Sequence, residues 1–374
     1  MVTTTVVICI DGLDPDYLEA CDAPNLRRLG RQGFLRMGQS MMPSVTNVNN
    51  VSLVTAGYPE KHGICSNYRL VQETGEEIYM ESGEYILAET MFHRVRSSGG
   101  ESVLVTSKDK LRTLLADGAT VAVSSEQPPD WVVEGVGAPP AIYSLEVNGW
   151  AINAASFIMS RRQEAPSIVY ISTTDYAMHT YAPDEPQSQE HITILDEAIG
   201  ELVDSHPDIT LLLTADHGMS AKSRMVDLKS ALEKYGIRAR PVPIIKDRYV
   251  VHHSNLGGCI FVYLDPDGPG GQLDEALKVL RETPGVEEAL GRDQAAERFR
   301  LLGQRIGDIV VTGEPDAVFG DPSEVEMPPR LRSHASVHER EVPLIGYNGD
   351  FEGFAFNENR DLGRYVFERV LAQP

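Results

Sequence analysis

Three aspartates, three histidines and a threonine are the residues of this chain whose types suit one metal centre. They are Asp11, Thr46, Asp175, His179, Asp216, His217 and His334. Carboxylates and imidazoles are good zinc ligands, and a hydroxyl beside a divalent ion becomes a nucleophile. The set suits two zinc ions and one nucleophile. Asp216 and His217 are adjacent and precede Gly218, so a sharp turn there can aim both inward. Asp175 and His179 are four apart, which puts both on one face of a helical turn. Thr46 lies in Pro43-Ser44-Val45-Thr46-Asn47, a turn that opens a helix, and helix N-termini offer unpaired N–H groups to anions. Each residue also has a plainer use: the aspartates and Thr46 as helix caps, His334 as an ordinary loop histidine. Ser44 and Ser52 are rival hydroxyls that residue type alone does not exclude.

The elements that must position these residues share a pattern. Asp11 follows Val6-Val7-Ile8-Cys9-Ile10, Asp216 follows Leu211-Leu212-Leu213-Thr214-Ala215, and Asp175 follows Ile168-Val169-Tyr170-Ile171 soon after. Short apolar runs that stop at a carboxylate are what parallel strands look like when their carboxyl ends hold a site. Strands are expected at 4–10, near 34–37, and at 102–106, 121–123, 167–172 and 209–214. Helices are expected at 23–32, 48–55, 86–98, 151–161 and 189–203. This alternation predicts an α/β fold with a doubly wound, mainly parallel sheet flanked by helices. Past Gly218 the pattern changes, with helices at 227–235 and 272–282 and strands at 242–245, 249–252, 259–264, 286–289 and 309–312. A loop fills 265–271. We therefore expect a smaller α+β cap insertion over 221–330, with 1–220 plus 331–374 forming the catalytic core and a helix at 362–372 closing it.

Charge narrows the partners. The chain carries 33 basic against 55 acidic side chains, a net charge of −22. Such a field repels nucleic acid and anionic membranes, so neither is an expected partner. No run approaches the roughly 20 apolar residues of a membrane helix, and none near the start is long enough for a secretory signal. Cys9, Cys21, Cys65 and Cys259 are far apart and form no CxxC pair, which favours a reducing, cytoplasmic setting. Lys108 and Lys110, just after the 102–106 strand, matter in so acidic a chain, although spacing alone reads them as solvated surface lysines.

Longer segments carry a family resemblance. They include Ile10-Asp11-Gly12, Met42-Pro43-Ser44-Val45-Thr46-Asn47-Val48-Asn49-Asn50 and Gly57-Tyr58-Pro59-Glu60-Lys61-His62-Gly63 through Asn67. Ser107-Lys108-Asp109-Lys110-Leu111-Arg112, Thr173-Thr174-Asp175 with His179, Ala215-Asp216-His217-Gly218 and Arg332-Ser333-His334 complete them. As a set they resemble the alkaline phosphatase superfamily, in its nucleotide pyrophosphatase/phosphodiesterase-like branch, with the phosphonoacetate hydrolases the most similar group. The resemblance implies an alkaline phosphatase-like fold and two zinc ions. Asp11, Thr46, Asp216 and His217 would hold one ion, and Asp175, His179 and His334 the other. Thr46 would be the nucleophile. Asn67, Lys108 and Lys110 would bind a small anionic phosphonate, with a phosphothreonine intermediate and acetate leaving as its enolate. A homodimer is a further expectation. Departures are Ala335-Ser336 after His334 and Ser66 before Asn67, where glycines are usual; they bear on pocket shape. Two other readings stand beside this one: a phosphodiesterase, nucleotide pyrophosphatase or phosphomonoesterase on the same site, and a noncatalytic metal-dependent binding protein. His252 and His253 could line the mouth.

Overall fold

The computed structural model describes residues 4–72, 74–249, 252–266, 268 and 272–372. Seven strands form the central sheet, in the order Phe34–Gln39, Glu341–Tyr347, Thr210–Thr214, Thr5–Cys9, Ile168–Ser172, Ser102–Thr106 and Val121–Ser124. The last five are mutually parallel. Glu341–Tyr347 runs antiparallel to both of its neighbours. Thr5–Cys9, Ile168–Ser172 and Thr210–Thr214 are buried at every residue, which accounts for their unbroken apolar runs. Their register is the fact that matters most for the site. Cys9 pairs with Ser172 on one side and Thr214 on the other, so three strands end level. Asp11, Asp175 and Asp216 all leave the sheet at that edge.

Several helices extend beyond their expected bounds. The helix that carries Thr46 covers Thr46–Thr55, two residues earlier than expected, so Thr46 is itself helical. Val147–Arg161 and Pro186–Ser205 are also longer than the periodicity indicates. The expected helix at 86–98 is shorter, Met91–Ser97, because the Thr90 hydroxyl accepts from the His93 N–H and sets the start there. The closing helix is Arg360–Tyr365 followed by a wider π-turn, Val366–Val370. Elements outside the sequence expectations include the strand Glu341–Tyr347, the helices Pro15–Ala20, Asp109–Leu115, Asp130–Val136 and Arg292–Phe299, and the Tyr68–Val71/Glu76–Tyr79 hairpin.

The 221–330 stretch contains a four-stranded antiparallel sheet, ordered Ala239–Pro243, Cys259–Leu264, Ile309–Gly313 and Val286–Gly291. Its alternation is period two. Cys259, Phe261, Tyr263 and Val310 join the main core, while Ile260, Val262, Ile309 and Val311 pack with Leu277 and Leu280 in a second core. Tyr249 and His252, expected in a strand, lie outside one; residues 250–251 fall outside the described set, as do 267 and 269–271 of the expected loop. All four cysteines are unpaired and buried. Among the described residues no helix is long and apolar enough to cross a membrane.

Packing between helices uses one buried carboxylate. Asp196, 1% exposed, accepts from the N–H groups of Asn25 (3.0 Å) and Leu26 (2.7 Å) at the start of the Pro24–Gln32 helix. Asp196→Ala should orphan those donors and lower stability by about 1–3 kcal/mol in urea unfolding. A loss under about 0.5 kcal/mol would show that water satisfies them instead.

Candidate active site

Each strand end delivers its carboxylate through a short turn. Gly12, at φ +75°, lets the chain reverse after Asp11, and its N–H donates to Asp216 Oδ1 at 3.1 Å. A Cβ on Gly218 would lie 2.2 Å from Asp14 Oδ2, which in turn accepts from the Met219 N–H. The turns after Asp11 and Asp216 are thus locked together. Asp175 occupies the N-cap position of Tyr176–Thr180 but makes no capping bond; its Oδ2 instead meets His179 Nε2 at 2.9 Å. The expected helical-turn spacing therefore points both side chains at one place.

The seven residues form a continuous cluster. His217 Nε2 lies 3.3 Å from Asp11 Oδ1, 3.6 Å from Asp216 Oδ2 and 3.5 Å from Thr46 Oγ1. The His217 and His334 rings stack at 3.5 Å, and His334 Nε2 lies 3.8 Å from Asp175 Oδ2. Ligating atoms lie within 4.8 Å of one another in three trios: Asp11, Asp216 and His217; Asp175, His217 and His334; and Asp175, His179 and His252.

The hydroxyl alternatives separate clearly. Val45, not Thr46, is the N-cap of Thr46–Thr55, so the buried Thr46 hydroxyl has no capping duty. Ser44 Oγ donates to the Ser336 carbonyl at 2.7 Å. Ser52 Oγ donates to the Val48 carbonyl, and His62 Nδ1 accepts from the Ile64 N–H. His62 Nε2 must therefore donate to Ser52, the reverse of what nucleophile activation requires.

Three features of the cluster fit divalent ions. First, the Nδ1 atoms of His179, His217 and His334 lie 2.7, 2.9 and 2.7 Å from the carbonyls of Arg332, Gly218 and Ser44. A carbonyl only accepts, so each Nδ1 carries a proton and each Nε2 faces the centre, where it offers a lone pair once deprotonated, as metal-ligating histidines do. Second, among the described residues neither oxygen of buried Asp11 has a hydrogen-bond donor. Third, negative charge is crowded. Burial and then Asp11 raise Asp216 well above the usual carboxylate range. Burial opposes charge on His217, yet Asp216 and Asp11 push it up to about 9. Burial and then His217 hold His334 well below the usual range.

The two lysines are not surface residues. Lys108 and Lys110 are 3% and 7% exposed, at the start of the Asp109–Leu115 helix. Lys108 Nζ bonds Asp175 Oδ1 at 2.9 Å. Burial would raise Asp175, but Lys108 and then His179 hold it well below its usual range. Lys110 pairs with Asp247, and Tyr249 lies 5.6 and 5.3 Å from the two ammonium groups. Asn67 Oδ1 accepts from the Asn47 N–H at 3.1 Å, which leaves the NH2 end for a ligand. His252, expected at the mouth, lies beside Asp175; Asp247 and Tyr249 escape a sequence reading, because the lysines they meet lie far away in the chain.

The fold is that of the alkaline phosphatase superfamily, and the buried Asp/His cluster is consistent with the bimetallic site typical of it. A profile of the type I phosphodiesterase / nucleotide pyrophosphatase family matches residues 5–338, and the chain belongs to that family. A solved phosphonoacetate hydrolase from Sinorhizobium meliloti 1021, in complex with phosphonoacetate, superposes with a TM-score of 0.90 at 30% identity, covering 99% of this chain and 96% of that one. The same enzyme with phosphonoformate gives 0.89 and 31%, over 99% and 96% of the two chains. A pyrophosphatase/phosphodiesterase of Schizosaccharomyces pombe is 26% identical over 249 residues, 59% of this chain and 46% of that protein. Human ectonucleotide pyrophosphatase/phosphodiesterase family member 1 is 24% identical over 66% of this chain and 28% of its own length. The chain thus matches less than half the length of these curated relatives.

One buried pair holds the site's two loops together. Glu339 accepts from Lys222 Nζ (2.8 Å), Ser220 Oγ (2.5 Å) and Ser336 N (3.0 Å), and its carbonyl accepts from the Gly218 N–H. It thereby joins the turn after His217 to the loop after His334. Burial would raise Glu339, but Lys222 and then Ser220 and Ser336 hold it below 4.5. The stabilisation is therefore full above the unfolded carboxyl value and is lost as pH falls through the lower folded one. Glu339→Gln should cost about 3–5 kcal/mol at pH 7, by leaving Lys222 buried and unbalanced. The gap from wild type in urea midpoint should narrow below about pH 4; a gap independent of pH would contradict this.

Proposed function

We propose that this protein hydrolyses the carbon–phosphorus bond of phosphonoacetate to acetate and phosphate. The observation that carries the reading is the pair of buried ammonium groups, Lys108 and Lys110, beside the Asp/His centre in a chain of net charge −22. Similarity to a phosphonoacetate-bound hydrolase over nearly the whole chain supports it. In this reading Asp11, Thr46, Asp216 and His217 hold one zinc ion, and Asp175, His179 and His334 hold the other. When bound, the ions lower the pKa of the Thr46 hydroxyl and neutralise charge on the phosphonyl oxygens.

Thr46 Oγ1 attacks phosphorus and becomes a phosphothreonine as the carbon–phosphorus bond breaks. The bonding electron pair leaves with carbon, so the chain must stabilise a carbanion. The substrate carboxylate takes up that charge as an enolate, and Lys108 and Lys110 hold it. An ammonium has three donors; one on each is committed here, to Asp175 and Asp247. The Asn67 NH2 donates to a phosphonyl oxygen. The proton that Thr46 gives up on attack passes through solvent to the enolate carbon, giving acetate; water then cleaves the phosphothreonine, its oxygen going to phosphate and one of its protons back to Thr46. Residues 221–330 act as a cap, bringing Asp247, Tyr249 and His252 against the lysines.

A second reading, a nucleotide pyrophosphatase or phosphodiesterase, is favoured by one observation. Tyr143 and Tyr176 stand 5.3 Å apart beside His252, an aromatic wall on which a base could stack. Zinc-loaded protein should release inorganic phosphate from phosphonoacetate, and a chelator should abolish the release until zinc is returned. Intact phosphonoacetate with rapid turnover of nitrophenyl phosphodiesters would select the second reading. Thr46→Ala should lower phosphate release by about a thousandfold or more; undiminished release would remove Thr46 as nucleophile.

A further inference from the structure

Asp175 divides the centre into two sides. Its Oδ2 faces His179 Nε2 at 2.9 Å and His334 Nε2 at 3.8 Å. Its Oδ1 faces Lys108 Nζ at 2.9 Å and His252 Nε2 at 3.6 Å. The His252 side chain is 1% exposed, and among the described residues neither ring nitrogen has a hydrogen-bond partner. Buried polar groups are almost always paired, so an imidazole left in this state marks a place for a ligand. Its neighbour His253 is fully engaged, with Nε2 on Asp247 at 3.2 Å and Nδ1 accepting from the Asn255 N–H.

We propose that His252 is a specificity-determining residue that donates an N–H to the carboxylate end of a carboxylated phosphonate, beside Lys108. The inference rests on the phosphonate reading above and assigns its carboxylate end. His252 also belongs to a trio with metal-ligand spacing, but two facts place it with substrate. The other three histidines each anchor Nδ1 on a backbone carbonyl, and His252 lacks such an anchor. Its side of Asp175 is shared with an ammonium, which repels a cation and attracts an anion. The Tyr143 and Tyr176 rings, at 5.7 and 6.3 Å, wall the imidazole from behind.

The test is calorimetric binding of phosphonoformate, which has a carboxylate, and methylphosphonate, which lacks one, to zinc-loaded wild type, His252→Ala and His252→Gln. Wild type should prefer phosphonoformate. His252→Ala should reduce that preference about tenfold or more while methylphosphonate binding changes less than about threefold. His252→Gln, which keeps an N–H donor, should restore part of it. Both variants should retain the wild-type zinc content. Loss of a zinc equivalent would make His252 a metal ligand and overturn the proposal. Equal weakening of both ligands would reduce it to packing, and an unchanged or absent preference would exclude it. Because binding does not require bond cleavage, a chain that keeps the preference yet releases no phosphate fails only the proposed reaction.

Discussion

Asp11 and Asp216 are held side by side out of water, and the chain places too little positive charge around them to balance both. Burying a carboxylate is expensive unless a cation or several donors compensate it. Here the compensation differs across the centre. Asp175 bonds the Lys108 ammonium directly, whereas Asp11 and Asp216 have beside them the His217 ring, itself pushed up by the same two carboxylates. Much of the surrounding structure serves this constraint. The level ends of three parallel strands bring the carboxylates together, and the Nδ1–carbonyl bonds fix three imidazoles with their Nε2 atoms inward. A dry site with excess negative charge and oriented lone pairs is what a pair of divalent ions requires.

The lysines add a second, opposite requirement. A centre that binds cations must also admit an anion, although the protein as a whole repels one. In the proposed reading Lys108 and Lys110 meet that need, and each is already paired, with Asp175 and Asp247. In that reading the charge that remains holds a small carboxylated anion, and the pairs keep both side chains ordered before one arrives. Asp247 and Tyr249 come from the segment that follows the Ala239–Pro243 strand. The cap sheet thus shapes the same pocket as the core.

What the sequence makes legible follows from what each element has to bury. Strands covered on both faces leave unbroken apolar runs, so Thr5–Cys9, Ile168–Ser172 and Thr210–Thr214 and their terminal aspartates can be read directly. Glu341–Tyr347 is hidden by Pro343 and Gly346, residues that argue against a strand, even though it lies inside the sheet. The helix at Met91–Ser97 is overextended in a periodicity reading because apolar residues at Ile86 and Leu87 continue the pattern; Leu87 is in fact 58% exposed. Lysine type alone assigns Lys108 and Lys110 to the surface, and only the family resemblance moves them inward. The Lys222–Glu339 pair and the Asp247–Lys110 pair join residues over a hundred positions apart, and no local pattern encodes them.

The central claim is that this Asp/His cluster is a two-ion site, and anomalous diffraction at the zinc edge from zinc-soaked crystals tests it most directly. The account predicts two peaks, one among Asp11, Asp216 and His217 and one on Asp175 with His179 and His334. A single peak, or two peaks elsewhere in the molecule, would contradict it.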